Sequence, residues 1–262
     1  MNGIVVDELT FKRRERTIFN RLTVSIPKGQ FVGLLGPNGT GKSTFLRAIA
    51  GLLAVDYGDV YLHNVRLRGL SRKEVAKLIC YMPQTTQLET NFTVQQVVEM
   101  GRYPHKSRFS HLTKVDYEKV EEAITLTGIE RLRERFVPSL SGGERQLVFL
   151  AKVIAQDTPI ILLDEPTSDL DVYHQELVTN IVHRLVAQGK TVVAAIHDIN
   201  YSARICDQCL FLKDGKVIAF GETEQVLTKE KIEETFHVDS HIYVEQVTGS
   251  KQMIPIGVQP RS

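Results

Sequence analysis

The sequence holds only three cysteines, an odd number and too few for a disulfide framework, which suits a reducing compartment. It also lacks any apolar run near the ~20 residues needed to cross a bilayer; the longest candidates, Ile160 to Leu163 and Val192 to Ile196, are strand-sized. Neither sign of charge is in excess, with 32 Lys plus Arg against 31 Asp plus Glu. That excludes a global basic field able to gather nucleic acid or anionic lipid, so any anion site must be local. No internal repeat or low-complexity linker occurs, and Asp7 and Glu8 stand where a secretory signal needs its apolar stretch, so the expected location is cytoplasmic. What remains is an ordinary globular composition, 42% hydrophobic and 24% charged over 262 residues, enough for a sizeable buried core. Cys206 and Cys209 form a CxxC pair. With no second pair to complete a zinc site, they read as two small side chains where a helix meets a strand.

Short β-branched runs alternate with helical patterns: Phe31 to Leu35, Ile79 to Met82, Ile160 to Leu163, Thr191 to Ile196 and Cys209 to Lys213. This alternation predicts an α/β fold with a parallel sheet. Ile4 to Phe11 and Leu22 to Ile26 follow each other with no helix between them, and Val60, Leu62, Val217 and Ala219 lie in similar short segments; these predict an antiparallel side sheet. Between Thr85 and Gln156 strand signals vanish. Helix starts replace them, with Thr93 three before Gln96, Thr113 three before Asp116 and Ser141 three before Glu144. The expected organisation is a core over 1–84 and 157–240, an all-helical insertion over 85–156, and a weakly alternating tail over 241–262.

Gly36-Pro37-Asn38-Gly39-Thr40-Gly41-Lys42-Ser43 follows a buried-strand pattern and opens a helix running to about Ala50, in the pattern GxxxxGKS. Glycines there turn backbone amides toward phosphate oxygens and the helix N-terminus adds its positive end. Lys42 reaches terminal phosphates and the Ser43 hydroxyl is offered to magnesium. Ile160 to Leu163 then ends in Asp164-Glu165, an acid pair at the carboxyl end of a buried strand, where open α/β sheets bind ligands. Asp164 is placed to hold magnesium through water, and Glu165 to polarise an attacking water. About a hundred residues from the phosphate loop, Leu140-Ser141-Gly142-Gly143-Glu144-Arg145-Gln146 supplies a second phosphate-ready helix N-terminus. A plain capped helix explains Ser141 and Glu144 but not two glycines in the first turn, each of which costs ~1 kcal/mol relative to Ala.

With these residues in order, the chain resembles the ATP-binding cassette (ABC) family over nearly its whole length, LSGGERQ being that family's signature. The resemblance implies a RecA-like P-loop NTPase core with an antiparallel β subdomain and an inserted α-helical subdomain. It also implies a head-to-tail homodimer that hydrolyses ATP to ADP and phosphate with Mg2+. ATP on the phosphate loop of one subunit, including Thr44, is sandwiched by Ser141, Gly142 and Gly143 of the other. By the same resemblance Gln84 is the loop glutamine that senses magnesium and couples to membrane partners, Asp171 belongs to the dimer loop, and His197 is the switch histidine beside Glu165. Two positions depart from the family pattern. The adenine-stacking aromatic falls near position 13, which is Arg13, with Phe11 two residues earlier on the same strand face; Arg13 is the first choice. Asp169 stands where a small apolar residue is usual.

Thr93 to Pro104 and Asp198 to Ala203 are similar to the importer subfamily serving ferric siderophores, haem and cobalamin. That subfamily implies an ATPase pair on the cytoplasmic face of the membrane under two polytopic permease subunits, with an extracytoplasmic substrate-binding protein and no nucleic acid. The expected cargo is an iron chelate, a ferric siderophore ahead of haem or cobalamin. The alternative is a soluble, non-transport cassette ATPase of translation or DNA repair. Such proteins carry a second cassette or long coiled coils, for which 262 residues leave no room. A P-loop kinase or GTPase would leave LSGGERQ unexplained.

Overall fold

The computed structural model describes residues 1–84, 90–107, 110–168 and 170–259. Asp169 therefore lies outside the described residues. Two long strands open the chain, β1 (Asn2–Arg13) and β2 (Arg16–Pro27), paired antiparallel. Then come β3 (Phe31–Leu35), α1 (Lys42–Ile49), β4 (Tyr57–Leu62), β5 (Val65–Arg66), α2 (Arg72–Leu78) and β6 (Ile79–Met82). The stretch from β6 to the next strand carries α3 (Val94–Glu99), α4 (Lys114–Thr127) and α5 (Gly142–Ala155), with short 3-10 turns between them. The core resumes with β7 (Ile160–Asp164), α6 (Val172–Ala187), β8 (Thr191–Ala195), α7 (Ile199–Ile205), β9 (Gln208–Lys213) and β10 (Lys216–Glu222). Two short helices, α8 (Thr223–Val226) and α9 (Lys229–Phe236), lead into β11 (Val238–Val244) and β12 (Lys251–Val258).

The central sheet runs β10-β9-β3-β8-β7-β6, parallel except for β10 at its edge. A second, antiparallel sheet runs β2-β1-β4-β5. Val60 and Leu62 join that side sheet as expected, but Val217 and Ala219 do not. They belong to β10, which extends the central sheet antiparallel to β9, because the tight turn at Asp214 and Gly215 folds the chain straight back on its neighbour.

β3, β7 and β8 are buried along their whole length, so both faces of the sheet are packed and the two-residue period sorts their side chains into two cores. Phe31, Leu35, Ile161 and Leu163 point to one core with α5 and α6; Val32, Leu34, Ile160 and Leu162 point to the other, with α1 and the antiparallel sheet. Each such fully buried side chain contributes roughly 1.5–3 kcal/mol of hydrophobic stabilisation. This parity carries to the strand end: Asp164, two residues beyond Leu162, faces the α1 side.

The expected caps form. Thr93 with Gln96, Thr113 with Asp116 and Ser141 with Glu144 make reciprocal capping boxes, and α4 ends on Gly128 at φ 68°. An unforeseen fourth box, Ser71 with Glu74, starts α2. Cys206 and Cys209 are free, buried thiols, and a side chain at Gly33 on β3 would meet Cys206 Sγ at 2.8 Å. The tail is not featureless: β11 and β12 form a hairpin lying on α7 and α9. The Asn200 amide fastens it to α7, donating to Met253 O at 3.1 Å and accepting from Met253 N at 2.7 Å.

Candidate active site

The chain leaves β3 at Leu35 and reaches α1 through Gly36 to Gly41, a loop whose turn needs left-handed backbone. Gly41, at φ 100°, is the cap residue of α1; any side chain there would also press on Ile18 and Phe19, 3.0 to 3.1 Å away. Asn38, Gly39, Gly41, Lys42, Ser43 and Thr44 line a cleft of about 550 Å³ together with Arg13, Gln84, Glu165 and His197. Thr40 stays inside the loop, its hydroxyl donating to Pro37 O at 2.8 Å.

Lys42 is 6% exposed and its ammonium donates to Gly36 O at 2.5 Å and Pro37 O at 3.2 Å. Burial lowers its pKa from the ordinary lysine value, while the nearby charges of Glu165 and Asp164 work the other way. Asp164 is 3% exposed and each of its oxygens accepts a hydroxyl: Ser43 Oγ on Oδ1 at 2.9 Å and Tyr81 Oη on Oδ2 at 2.8 Å. Burial, followed by the bond to Asp164 and the charge of that carboxylate, pushes the Tyr81 phenol well above its usual pKa.

Glu165 leaves the strand at φ 53°, a left-handed conformation uncommon for a residue with a side chain and typical of functional turns. Its backbone N–H donates to Ala195 O at 3.2 Å, holding the turn against β8. Gln84 Nε2 donates to Glu165 Oε2 at 2.6 Å, and His197 Nε2 pairs with Oε1. The carboxylate thus stands between an amide and an imidazole at the mouth of the phosphate loop.

Hard oxygen donors converge here: the Ser43 hydroxyl, the Asp164 carboxylate and the Gln84 amide. Among the described residues no cluster of three or more His, Cys, Asp or Glu could hold a metal by itself. A cation here would complete its shell from phosphate oxygens and water, the binding habit of Mg2+ and not of zinc.

Arg13, Gly36 to Thr44, Gln84, Asp164, Glu165 and His197 are brought together. Ser141, Gly142, Gly143 and Asp171 do not line this cleft. Ser141 caps α5 and Asp171 caps α6. Of the two stacking candidates, Arg13 lines the cleft, whereas Phe11 packs against the core of the antiparallel sheet. Tyr81, Arg16 and Ile18 are cleft or second-layer residues that motif reading missed. Parity could have found Tyr81: it pairs with Leu162 in register and so shares the face on which Asp164 lies two residues on. Arg16 and Ile18 follow a turn in an exposed hairpin and give no such signal.

The family model "ABC transporter" matches residues 19–168. The ferric enterobactin transport ATP-binding protein FepC of Escherichia coli is 37% identical over 96% of this chain and 93% of its own length. The iron(3+)-hydroxamate import ATP-binding protein FhuC of Bacillus subtilis is 37% identical over 95% and 93%. Among solved structures, a chain of a metal-chelate type ABC transporter in an inward-facing conformation superimposes with a TM-score of 0.84 at 29% identity, covering 97% of both chains. The dimeric, post-hydrolysis cassette MJ0796 bound to ADP and Pi superimposes with a TM-score of 0.73 at 30% identity, covering 84% of this chain and 98% of its own. With a family model spanning more than half of its length and relatives spanning nearly all of it, the chain belongs to the ABC transporter family, as one of its ATP-binding, ATP-hydrolysing subunits.

Proposed function

We propose that this chain is the ATPase subunit of an ABC importer that energises uptake of an iron chelate, a ferric siderophore ahead of haem or cobalamin. It works as a homodimer on the cytoplasmic face of the cell membrane, beneath two separate polytopic permease subunits served by an extracytoplasmic substrate-binding protein. The observation that carries the hydrolytic reading is the carboxylate of Glu165, set between Gln84 and His197 at the mouth of the phosphate-loop cleft. The cargo reading rests on relatives named for ferric enterobactin, ferric hydroxamate, petrobactin and cobalamin. No helix among the described residues is long and apolar enough to cross a membrane, consistent with attachment through other subunits. The all-helical course of the described residues between β6 and β7 supports reading 85–156 as an insertion into a core of 1–84 and 157–240.

In this reading each residue of the site has a role. Lys42 exchanges the carbonyls of Gly36 and Pro37 for the terminal phosphate oxygens of ATP, keeping its buried charge compensated. Backbone amides of Asn38 to Thr44 and the α1 N-terminus take the remaining phosphate charge. Ser43, Asp164 and Gln84 would hold Mg2+, which when bound neutralises developing phosphate charge. Glu165 takes the proton of the attacking water, and His197 holds that water and the terminal phosphate in line. Arg13 lays its guanidinium plane on adenine. Ser141, Gly142 and Gly143 close over the nucleotide of a second copy, with Asp171 at the seam; a side chain added at Gly142 would meet nothing within 4 Å in its own chain, leaving that face free for a partner.

Co-purification tests the transport reading. A stable complex with a polytopic membrane protein is expected, and association with ribosomes or DNA in its place would overturn it.

A further inference from the structure

The two glycines of the signature turn have different surroundings. A side chain at Gly142 would enter open space, whereas one at Gly143 would lie 2.8 Å from Cδ2 of the His174 imidazole. His174 sits in the first turn of α6, and its ring is fixed from the other side by Asp171. Asp171 Oδ1 accepts from the His174 backbone N–H at 2.8 Å and pairs with ring Nδ1, also at 2.8 Å. The adjacent Gln175 amide donates to Leu170 O at 3.0 Å and Thr167 O at 3.4 Å, closing the loop from within.

A second fastening lies one helical turn away. Gly143 and Gln146 share a face of α5, and Gln146 Nε2 donates to Pro166 O at 2.9 Å, directly after Glu165. The N-terminal turn of α5 is therefore bonded through Gln146 to Pro166, just after the acid pair, and packs at Gly143 against His174, the residue bonded to Asp171. Asp171 is itself 65% exposed, and without the ring it keeps only the backbone bond that makes it the cap of α6.

We propose that His174 is a positioning residue for ATP hydrolysis: its ring locks the signature turn at Gly143 to the loop bearing Asp171, so that both meet the partner's nucleotide as one rigid surface. The proposal rests on the head-to-tail dimer reading given above. It gives the two glycines different reasons to lack a side chain: Gly142 leaves room for the partner, and Gly143 leaves room for His174. A misplacement of about 1 Å in such a surface costs on the order of a hundredfold in rate.

The test uses the full-length chain. His174→Ala is expected to melt within a few degrees of the unsubstituted protein and to bind a non-hydrolysable ATP analogue within twofold, because the phosphate loop lies on other elements. Its kcat falls about tenfold or more with KM little changed. In the Glu165→Gln background, which accumulates the ATP-bound dimer, adding His174→Ala raises the protein concentration needed for ATP-dependent dimerisation about tenfold. Gly143→Ala slows the unsubstituted protein by a larger factor than it slows His174→Ala, because removing the ring removes the clash. His174→Asn, which keeps the backbone bond to Asp171 but cannot cover Gly143, stays slow and serves if the alanine variant is unstable. Turnover within twofold in both His174 variants, or independent multiplication of the Gly143 and His174 effects, overturns the proposal. If Glu165→Gln dimerises with ATP while His174→Ala hydrolyses at full rate, only the His174 role falls. If Glu165→Gln never dimerises, the dimer reading falls and takes the His174 role with it.

Discussion

Gln84 and Glu165, 81 residues apart in sequence, are joined by a 2.6 Å hydrogen bond from the Gln84 amide to Glu165 Oε2, while His197 occupies the other oxygen. The carboxylate proposed as the general base is thus held in place by a partner on each oxygen. A water approaching the cleft has only to replace one of two existing partners.

Glu165→Gln keeps the shape of this arrangement and removes the basic oxygen. ATP hydrolysis is expected to fall about 100-fold or more, in the range typical of a lost general base. Nucleotide binding persists, and an ATP-dependent dimer accumulates on size-exclusion chromatography. Unchanged steady-state hydrolysis would remove Glu165 from the mechanism.

Tyr81→Phe strips Asp164 Oδ2 of its hydroxyl partner and leaves Ser43 as the donor on Oδ1. The loss of one hydrogen bond, about 0.5–1.5 kcal/mol net, should appear as a two- to tenfold rise in the Mg2+ concentration for half-maximal hydrolysis. Binding of ATP in the presence of a chelator is expected to stay the same. An unaltered Mg2+ titration would leave Tyr81 a packing residue.

Arg13→Ala and Phe11→Ala should part company. Arg13 lines the cleft, so its loss weakens adenine-nucleotide affinity by about 0.5–2 kcal/mol, the strength of a cation–π contact. Phe11 packs on the core, so its loss lowers the melting temperature and leaves affinity in place. Equilibrium titration with ATP and with a bare triphosphate separates the two, since Arg13 acts only where adenine is present.

Asp116 forms a buried pair with Arg102, Oδ1 to Nε at 2.9 Å, with the two side chains 8% and 6% exposed. Burial raises its pKa, but the Thr113 hydroxyl and backbone bonds and the Arg102 guanidinium outweigh it and bring the group down from 3.8 to about 2. The folded state therefore binds this proton less readily than the unfolded chain. The stabilisation is complete above the unfolded value and is lost as pH falls through the window from 3.8 to 2. Asp116→Asn leaves Arg102 buried and uncompensated, costing about 3–5 kcal/mol in denaturant unfolding at neutral pH. It also flattens the acid limb in that window.

Local chemistry was the legible part of the fold and of the site. Capping residues at fixed spacing announced α3, α4 and α5, and fully buried runs announced β3, β7 and β8, because each signal is complete within a dozen residues. The GxxxxGKS loop and the acid pair were legible for the same reason. Pairing partners were not. Val217 and Ala219 carry the alternation of any two-stranded edge, and nothing local says which sheet they extend. The contact of His174 with Gly143 was hidden in a different way: a histidine in the first turn of a helix looks like a surface residue until the neighbouring helix is placed over it. The β11–β12 hairpin was obscured because the outward side of β12, with Ile254, Ile256 and Val258 exposed, breaks the usual polar alternation.

The bracket between Asn200 and the backbone of Met253 ties the tail hairpin to the helix that follows His197. Asn200 stands three residues after His197, in the first turn of the helix that His197 leads into. Shortening the chain ahead of Lys251 would therefore not trim an ornament; it would remove the strand fastened to the helix that follows the histidine and leave both polar ends of the Asn200 amide without their partners.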